Sequence, residues 1–99
     1  MIAPTPLERL RERRAEILSV AARYGAEDIR VFGSVVHGRA TEESDIDFVV
    51  SFPPGTSLLD QVAFQQELED LLGREVDVVS EPALHWFIRD RVLAEAVAL

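Results

Sequence analysis

One run of alternating side chains, residues 44–52, most constrains how this chain can fold. Apolar Ile46 and Phe48 alternate with acidic Asp45 and Asp47. Successive side chains of a β-strand point to opposite faces, so the pattern predicts a strand with one buried face and one polar face. A strand with one apolar face indicates a sheet that is backed by helices on that face.

The rest of the sequence supplies those partners. Runs of β-forming residues predict further strands, and apolar residues at helical spacing predict helices. The predicted strands cover residues 29–32, 44–52 and 76–79, the predicted helices cover residues 6–24, 58–72 and 82–99, and a short helix begins over residues 34–39. This order predicts an α+β fold in which a small mixed sheet of about three strands is backed by helices.

Length, charge and composition narrow the class of protein. The chain has 99 residues, of which 10 are basic and 18 acidic, for a net charge of −8, and it has no cysteine. This length predicts a single domain over residues 1–99. The acidic balance argues against nucleic-acid or anionic-membrane partners, and the lack of cysteine excludes disulfides and thiolate chemistry. With no apolar segment long enough for a signal peptide or a membrane span, we expect a cytoplasmic protein.

The acidic pair in the central strand indicates a metal site. Residues two apart on a strand project side by side, with α-carbons about 6.5–7 Å apart, so Asp45 and Asp47 should repel each other unless a cation compensates. Hard oxygen ligands suit Mg²⁺, which commonly joins protein carboxylates to substrate phosphates. The same pattern also fits a solvated strand face that binds nothing.

A second feature, Gly33 followed by Ser34, lies at the end of the predicted strand 29–32. A turn of this kind directs backbone amides outward and the serine adds a hydroxyl donor, which favours an anion. Arg39 either contacts a phosphate or pairs with a neighbouring glutamate, and His37 is expected to face solvent. A phosphate-binding turn beside paired carboxylates is what metal-assisted phosphoryl transfer requires.

These two features together resemble a known signature. Ten residues separate Ser34 from Asp45, and the chain is similar over residues 28–80 to the minimal members of the DNA polymerase β-like nucleotidyltransferase superfamily. Their signature is Gly-Ser, ten residues, then Asp-x-Asp. The resemblance implies the fold of that superfamily, and it extends to residues 74–79, which resemble the strand that supplies a third carboxylate.

The resemblance also implies roles for single residues. Asp45 and Asp47 would bind two Mg²⁺ ions, and Asp77 would join one of them. Gly33 and Ser34 would hold the outer phosphates of ATP. Two metal ions about 3.5–4 Å apart would steady the attacking and leaving oxygens of a displacement at the α-phosphate.

Minimal members of the superfamily are typically paired with a small helical HEPN-type ribonuclease, as antitoxin and toxin. The resemblance therefore implies a protein adenylyltransferase that moves AMP from ATP to a tyrosine of the toxin. A chain this short would lack a further domain to hold an acceptor, and a protein partner would replace it. Two alternatives stay open: a non-catalytic antitoxin that neutralises the toxin by forming a complex, and nucleotidyl transfer to a hydroxyl of a small molecule.

The predicted last helix, residues 82–99, is rich in apolar side chains. A three-stranded sheet is too small to cover them all, so we expect an exposed apolar stripe on this helix. Such a stripe would suit a partner protein or a second copy of the chain.

Overall fold

A computed structural model describes residues 5–38, 44–84 and 86–99, and it arranges the strands in one mixed sheet with helices around it. The helices are α1 (Pro6–Glu12), α2 (Arg14–Arg23), α3 (Leu58–Leu72) and α4 (Trp86–Glu95), and the strands are β1 (Glu27–Phe32), β2 (Ile46–Ser51), β3 (Val76–Ser80) and β4 (Val97–Ala98). Three-residue 3-10 turns follow β1 at Gly33–Val35 and β3 at Glu81–Ala83. The predicted α+β class is confirmed.

The order of the strands across the sheet is β3-β2-β1-β4. β2 and β3 are parallel, whereas β1 runs antiparallel to both β2 and β4. In this register Asp47 lies opposite Phe32 on one side and opposite Asp77 on the other. The end of β1 and the beginnings of β2 and β3 therefore meet at one end of the sheet.

One face of the sheet forms the hydrophobic core. Ile46, Phe48 and Val50 of β2 are almost completely buried, as are Phe64 and Leu68 of α3, which packs over them. Burying a side chain of this size contributes roughly 1.5–3 kcal/mol. Because side chains alternate along a strand, burial of these residues commits the acidic residues between them to the opposite face.

The α3 helix has the boundaries that the sequence predicts. The Ser57 hydroxyl accepts a hydrogen bond from the Asp60 amide at 3.1 Å, which caps the first turn. Gly73 ends the helix with a φ of 65°, a left-handed conformation that glycine adopts without a steric penalty. Among the described residues, no helix combines the length and apolar character needed to cross a bilayer.

The first predicted helix, residues 6–24, is wrong as a single helix. The chain divides it at Arg13, which has φ −102° and ψ 16° and separates α1 from α2. The Arg13 guanidinium donates to the carbonyl oxygen of Leu71 at 2.6 Å and to Glu16. The contact with Leu71 is tertiary, and helical spacing in the sequence does not reveal it.

The last predicted helix, residues 82–99, is also wrong at both ends. The segment consists of a 3-10 turn, then α4, then β4. β4 pairs with the edge of β1 that does not contact β2, so the sheet has four strands rather than the predicted three. Pairing satisfies edge amides and carbonyls that a longer helix would leave exposed. None of the ten residues of α4 is fully buried. Trp86 and Phe87 are 78% and 76% exposed, as expected for an apolar stripe.

Candidate active site

Asp47 is the centre of the acidic end of the sheet. It is the second residue of β2, and its side chain is half-buried on the face opposite the core. Asp77 is the second residue of β3 and lies directly beside it in the parallel register. The two carboxyl groups are within hydrogen-bonding reach of each other, so the adjoining strands bring these two predicted site residues together.

Asp45 completes the group from outside the sheet. The predicted strand includes it, but β2 begins at Ile46, and Asp45 precedes the strand with an exposed side chain. Its charge still acts on Asp47. The three predicted acids therefore lie together, with Asp47 half-buried and Asp45 and Asp77 open to solvent.

Electrostatic repulsion is built into this group. Burial, followed by the charges of Asp77 and Asp45, raises the pKa of Asp47 above its usual range. Loss of water and nearby negative charge both disfavour a carboxylate. A carboxyl group in this position gains from a proton or from a cation.

The Gly33-Ser34 turn lies against Asp47. Gly33 has a φ of 77°, and a β-carbon built on it would be 2.5 Å from Oδ2 of Asp47, so a side chain at this position would displace the Asp47 carboxylate. The Gly33 carbonyl accepts hydrogen bonds from the amides of Val36 and His37 at 3.1 and 3.2 Å, which closes the turn and leaves Ser34 half-buried within it. The turn is thus placed beside the acids by direct packing.

The short helix expected over residues 34–39 is a three-residue 3-10 turn, Gly33–Val35. A turn of this length has few aligned peptide dipoles, so a helix dipole supplies little of the attraction for an anion. The first amides of such a turn have no acceptor within it, and with the Ser34 hydroxyl they are the donors available to a phosphate.

His37 and Arg39 are the other two residues that the sequence places near the turn. Arg39 lies outside the described residues. The His37 ring is exposed as expected, and its Nε2 lies 3.2 Å from Oε2 of Glu95, at the end of α4. The hydrogen bond with His37 lowers the pKa of Glu95. His37 therefore contacts α4.

Arg74 and Glu75, immediately before β3, make contacts that were not predicted from the sequence. The Arg74 guanidinium donates to the main-chain carbonyl of Ser44. The Glu75 carboxyl hydrogen-bonds to Asp45, which, with the charge of Asp45, raises the pKa of Glu75. The signal was available: in a parallel pair that aligns Asp47 with Asp77, residues 74 and 75 lie beside residues 44 and 45.

The same face of the sheet holds a different kind of acid at its far end. Glu81 is bracketed by Arg30 and Arg89, with N–O distances of 2.9 and 3.2 Å, and accepts from the Ser51 hydroxyl at 3.2 Å. This carboxylate is neutralised by cations and joins β1, β2 and the turn after β3. The contrast shows a structural acid at one end of the face and mutually repelling acids at the other.

The acidic end has the donors of a Mg²⁺ site but not its final geometry. In the part of the chain that the structure describes, no three histidine, aspartate or glutamate side chains are already arranged to hold a metal ion. Asp47 and Asp77 instead contact each other. A divalent cation relieves the same repulsion as a shared proton, and carboxylate oxygens are the ligands that Mg²⁺ prefers. The donor set therefore fits, provided the carboxylates rotate apart.

Comparison with known proteins identifies the family of the chain. Residues 7–99 match the family model described as nucleotidyltransferase domain. A protein of Methanocaldococcus jannaschii named as a candidate protein adenylyltransferase is 40% identical over 88 residues, covering 89% of this chain and 95% of that protein. The protein adenylyltransferase MntA of Thermococcus cleftensis is 44% identical over 75 residues, or 76% of each chain.

Solved structures show the same fold. A structure of a candidate minimal nucleotidyltransferase has a TM-score of 0.84 and 50% identity, covering 94% of this chain and 95% of that chain. A crystal structure of a toxin-antitoxin with AMP-PNP has a TM-score of 0.74 at 21% identity, covering 85% of this chain and 69% of that chain. The chain therefore belongs to the nucleotidyltransferase domain family, has the minimal nucleotidyltransferase fold and is a nucleotidyltransferase.

Proposed function

We propose that this chain is a cytoplasmic, Mg²⁺-dependent protein adenylyltransferase that transfers AMP from ATP to a tyrosine hydroxyl of a HEPN-type toxin and acts as its antitoxin. The observation that carries the proposal is the convergence of Asp45, Asp47 and Asp77 beside the Gly33-Ser34 turn. The 44% identity to a protein adenylyltransferase and the shared fold with a toxin-antitoxin structure support it.

In the proposed reaction, each residue of the site has a separate role. The Ser34 hydroxyl and the free amides of its turn bind the outer phosphates of ATP. Asp45, Asp47 and Asp77 would hold Mg²⁺, which supplies neutralising charge for the triphosphate. The acceptor oxygen forms a bond to the α-phosphorus while the bond to the pyrophosphate oxygen breaks, and Asp77 accepts the proton of the hydroxyl.

The exposure of the site suits a large acceptor. Asp45 and Asp77 are both open to solvent, so a hydroxyl carried on a folded protein can approach them. Asp47, half-buried against Gly33, is suited to hold the metal ion. The exposed apolar side chains of Trp86 and Phe87 offer additional surface to a protein partner.

Co-expression with the protein encoded by the neighbouring gene tests the proposal. Intact mass spectrometry of that partner should show an increase by one or more AMP units with the wild type. The Asp45→Asn/Asp47→Asn double variant should leave the mass unchanged, because two of the three proposed metal-binding carboxylates are gone. Asp70→Asn, which removes an exposed charge from α3, is the control and should modify the partner as the wild type does. A partner whose mass is unchanged after co-expression with folded wild-type protein would contradict the proposal.

A non-catalytic antitoxin is the second candidate. It is favoured by the exposed apolar residues of α4, which offer a surface for complex formation. If binding alone neutralises the toxin, the double variant should still protect cells. Loss of protection with retained complex formation supports catalysis. Labelling of a small hydroxylated acceptor without a protein partner would identify a third function.

A further inference from the structure

We propose that Arg74 is a positioning residue for Asp45, because its guanidinium fixes the main chain immediately before that aspartate against the start of β3. The inference rests on the proposed function, in which Asp45 is one of the three acids of the site. Arg74 contacts no phosphate or metal in this role; it acts through the backbone of Ser44.

The main chain around Asp45 is held from both sides. Before it, the Ser44 carbonyl accepts a hydrogen bond from the Arg74 guanidinium. After it, the Ile46 amide donates to the Glu75 carbonyl at 3.1 Å. Asp45 itself precedes the first residue of β2 and lies outside the strand. These two main-chain tethers come from consecutive residues, Arg74 and Glu75, and the Glu75 carboxyl also hydrogen-bonds to the Asp45 side chain.

Arginine has the properties that this tether needs. The Arg74 side chain is half-buried and reaches across the gap between the segment before β3 and the segment before β2. A guanidinium is a cation with a planar fork of donors, so its bond to a carbonyl is charge-assisted. It also brings a positive charge to the acidic end of the sheet. A glutamine keeps an amide donor but loses both the reach and the charge.

Removing the Arg74 bond takes away the main-chain hydrogen bond described on the N-terminal side of Asp45. A misplacement of about 1 Å at a reacting centre can cost about 100-fold in rate. The expected defect is in kcat, because Asp45 would act on the bound nucleotide at the step of transfer. Binding of the outer phosphates uses the Gly33-Ser34 turn and should change little.

The chain offers a matched control for this test. Arg13 is also half-buried, and its guanidinium also donates to a main-chain carbonyl, that of Leu71, at 2.6 Å. That contact joins the break between α1 and α2 to the last turn of α3 and involves none of the three acids. Arg13→Gln therefore removes the same kind of bond from another place, and any difference between the two variants reports on position rather than on general stability.

Steady-state transfer to the partner gives the first readout. Arg74→Gln should lower kcat by about 10- to 100-fold with the KM for ATP within about 3-fold of the wild type. Arg74→Lys, which keeps a charged donor, should recover part of the loss, and Arg13→Gln should keep the wild-type kcat. Equal kcat values for Arg74→Gln and Arg13→Gln would overturn the inference.

Amide hydrogen exchange gives a second readout that needs no activity. In Arg74→Gln the Ile46 amide should exchange faster relative to the Phe48 amide of the same strand, whereas in Arg13→Gln the ratio should stay that of the wild type. An unchanged ratio in Arg74→Gln overturns the positioning role. A wild-type protein that transfers no AMP would reject the proposed function, and the exchange ratio would still decide whether Arg74 fixes this segment.

Discussion

Gly33 is the residue at which the site depends most on the absence of a side chain. Its φ of 77° costs a residue with a β-carbon about 1–2 kcal/mol. The added carbon would also be 2.5 Å from Oδ2 of Asp47. Gly33→Ala should therefore lower stability and displace the Asp47 carboxylate, with a loss of at least about 100-fold in transfer rate. Thermal unfolding and the transfer assay measure the two effects.

Gly55 provides the control that distinguishes the effect of backbone strain from the effect of the contact with Asp47. It has a φ of 86°, a β-carbon added to it would meet no atom within 4 Å, and it lies in the segment between β2 and α3. Gly55→Ala should lose a similar amount of stability and keep its activity. If Gly33→Ala is as active as Gly55→Ala, Gly33 does not position Asp47.

Asp47 links the chemistry of the site to stability. Its raised pKa means that the folded chain keeps the Asp47 proton to a higher pH than the unfolded chain. The free energy of unfolding therefore falls as the pH rises from the usual aspartate range through that pKa. Asparagine cannot ionise, so without divalent cations Asp47→Asn should unfold at a higher temperature than the wild type at pH 7. The difference should shrink below about pH 4.

The control for this prediction is Asp90→Asn, which changes the net charge equally at an exposed position of α4. Calorimetry across the pH range should show no comparable pH-dependent gain for that variant. Adding Mg²⁺ should stabilise the wild type and not Asp47→Asn. Identical melting temperatures of wild type and Asp47→Asn at pH 7 would show that the repulsion is negligible.

At the scale of elements, α3 protects the outer edge of β3, the strand that carries Asp77. The Val76 amide donates to Glu69 at 3.1 Å and the Val78 amide to Gln65 at 3.3 Å. Unpaired edge amides are templates for association with other strands. Replacing both Gln65 and Glu69 by alanine should cost about 1–3 kcal/mol and produce concentration-dependent association. Urea unfolding and size-exclusion chromatography measure these outcomes.

The same helix provides the control. Gln66 and Asp70 are the next residues along α3 and are exposed. Replacing both by alanine also removes one amide and one carboxylate side chain, but it leaves the hydrogen bonds to β3 intact. This double variant should stay monodisperse and close to wild-type stability. Association in both double variants would mean that the β3 edge is not the cause.

Elements with local signals were predictable from the sequence, and elements made by distant contacts were not. The bounds of α3 follow from Ser57 and Gly73, which act within one turn of the helix. The interruption at Arg13 depends on the carbonyl of Leu71, and β4 depends on the free edge of β1. Neither partner is close in sequence, so helical periodicity alone missed the interruption of the first helix and extended the last helix too far.

The site follows the same division. Spacing along the chain was enough to select Gly33 and Asp47, but not to show that they touch, because that contact comes from the pairing of β1 with β2. Arg74 and Glu75 escaped notice since their roles appear only once β3 is aligned in parallel with β2.

At the scale of the whole molecule, the two ends of the polar face of the sheet have different roles. Glu81 at the far end is paired with two arginines, whereas Asp77 at the acidic end faces other acids. Glu81→Ala should cost about 1–3 kcal/mol and leave kcat unchanged, because it breaks a half-buried network. Asp77→Asn should keep or raise stability and abolish transfer. Denaturant unfolding with the transfer assay on both variants tests this division.

A similar loss of activity in both variants would contradict the division, since Glu81 lies at the opposite end of the strands from the acids. A similar loss of stability would also count against it, because it would make Asp77 a structural residue. The arginine partners of Glu81, Arg30 and Arg89, provide a check: their replacement should reproduce the effect of Glu81→Ala.

The fate of the phosphates of ATP tests the central claim most directly. The protein and its partner are incubated with Mg²⁺ and ATP labelled either at the α-phosphate or at the γ-phosphate. Nucleotidyl transfer predicts that the α label becomes attached to the partner and the γ label leaves in pyrophosphate, and that Asp47→Asn does neither. Attachment of the γ label, or attachment of the α label at an unchanged rate by Asp47→Asn, would contradict an active site built on these acids.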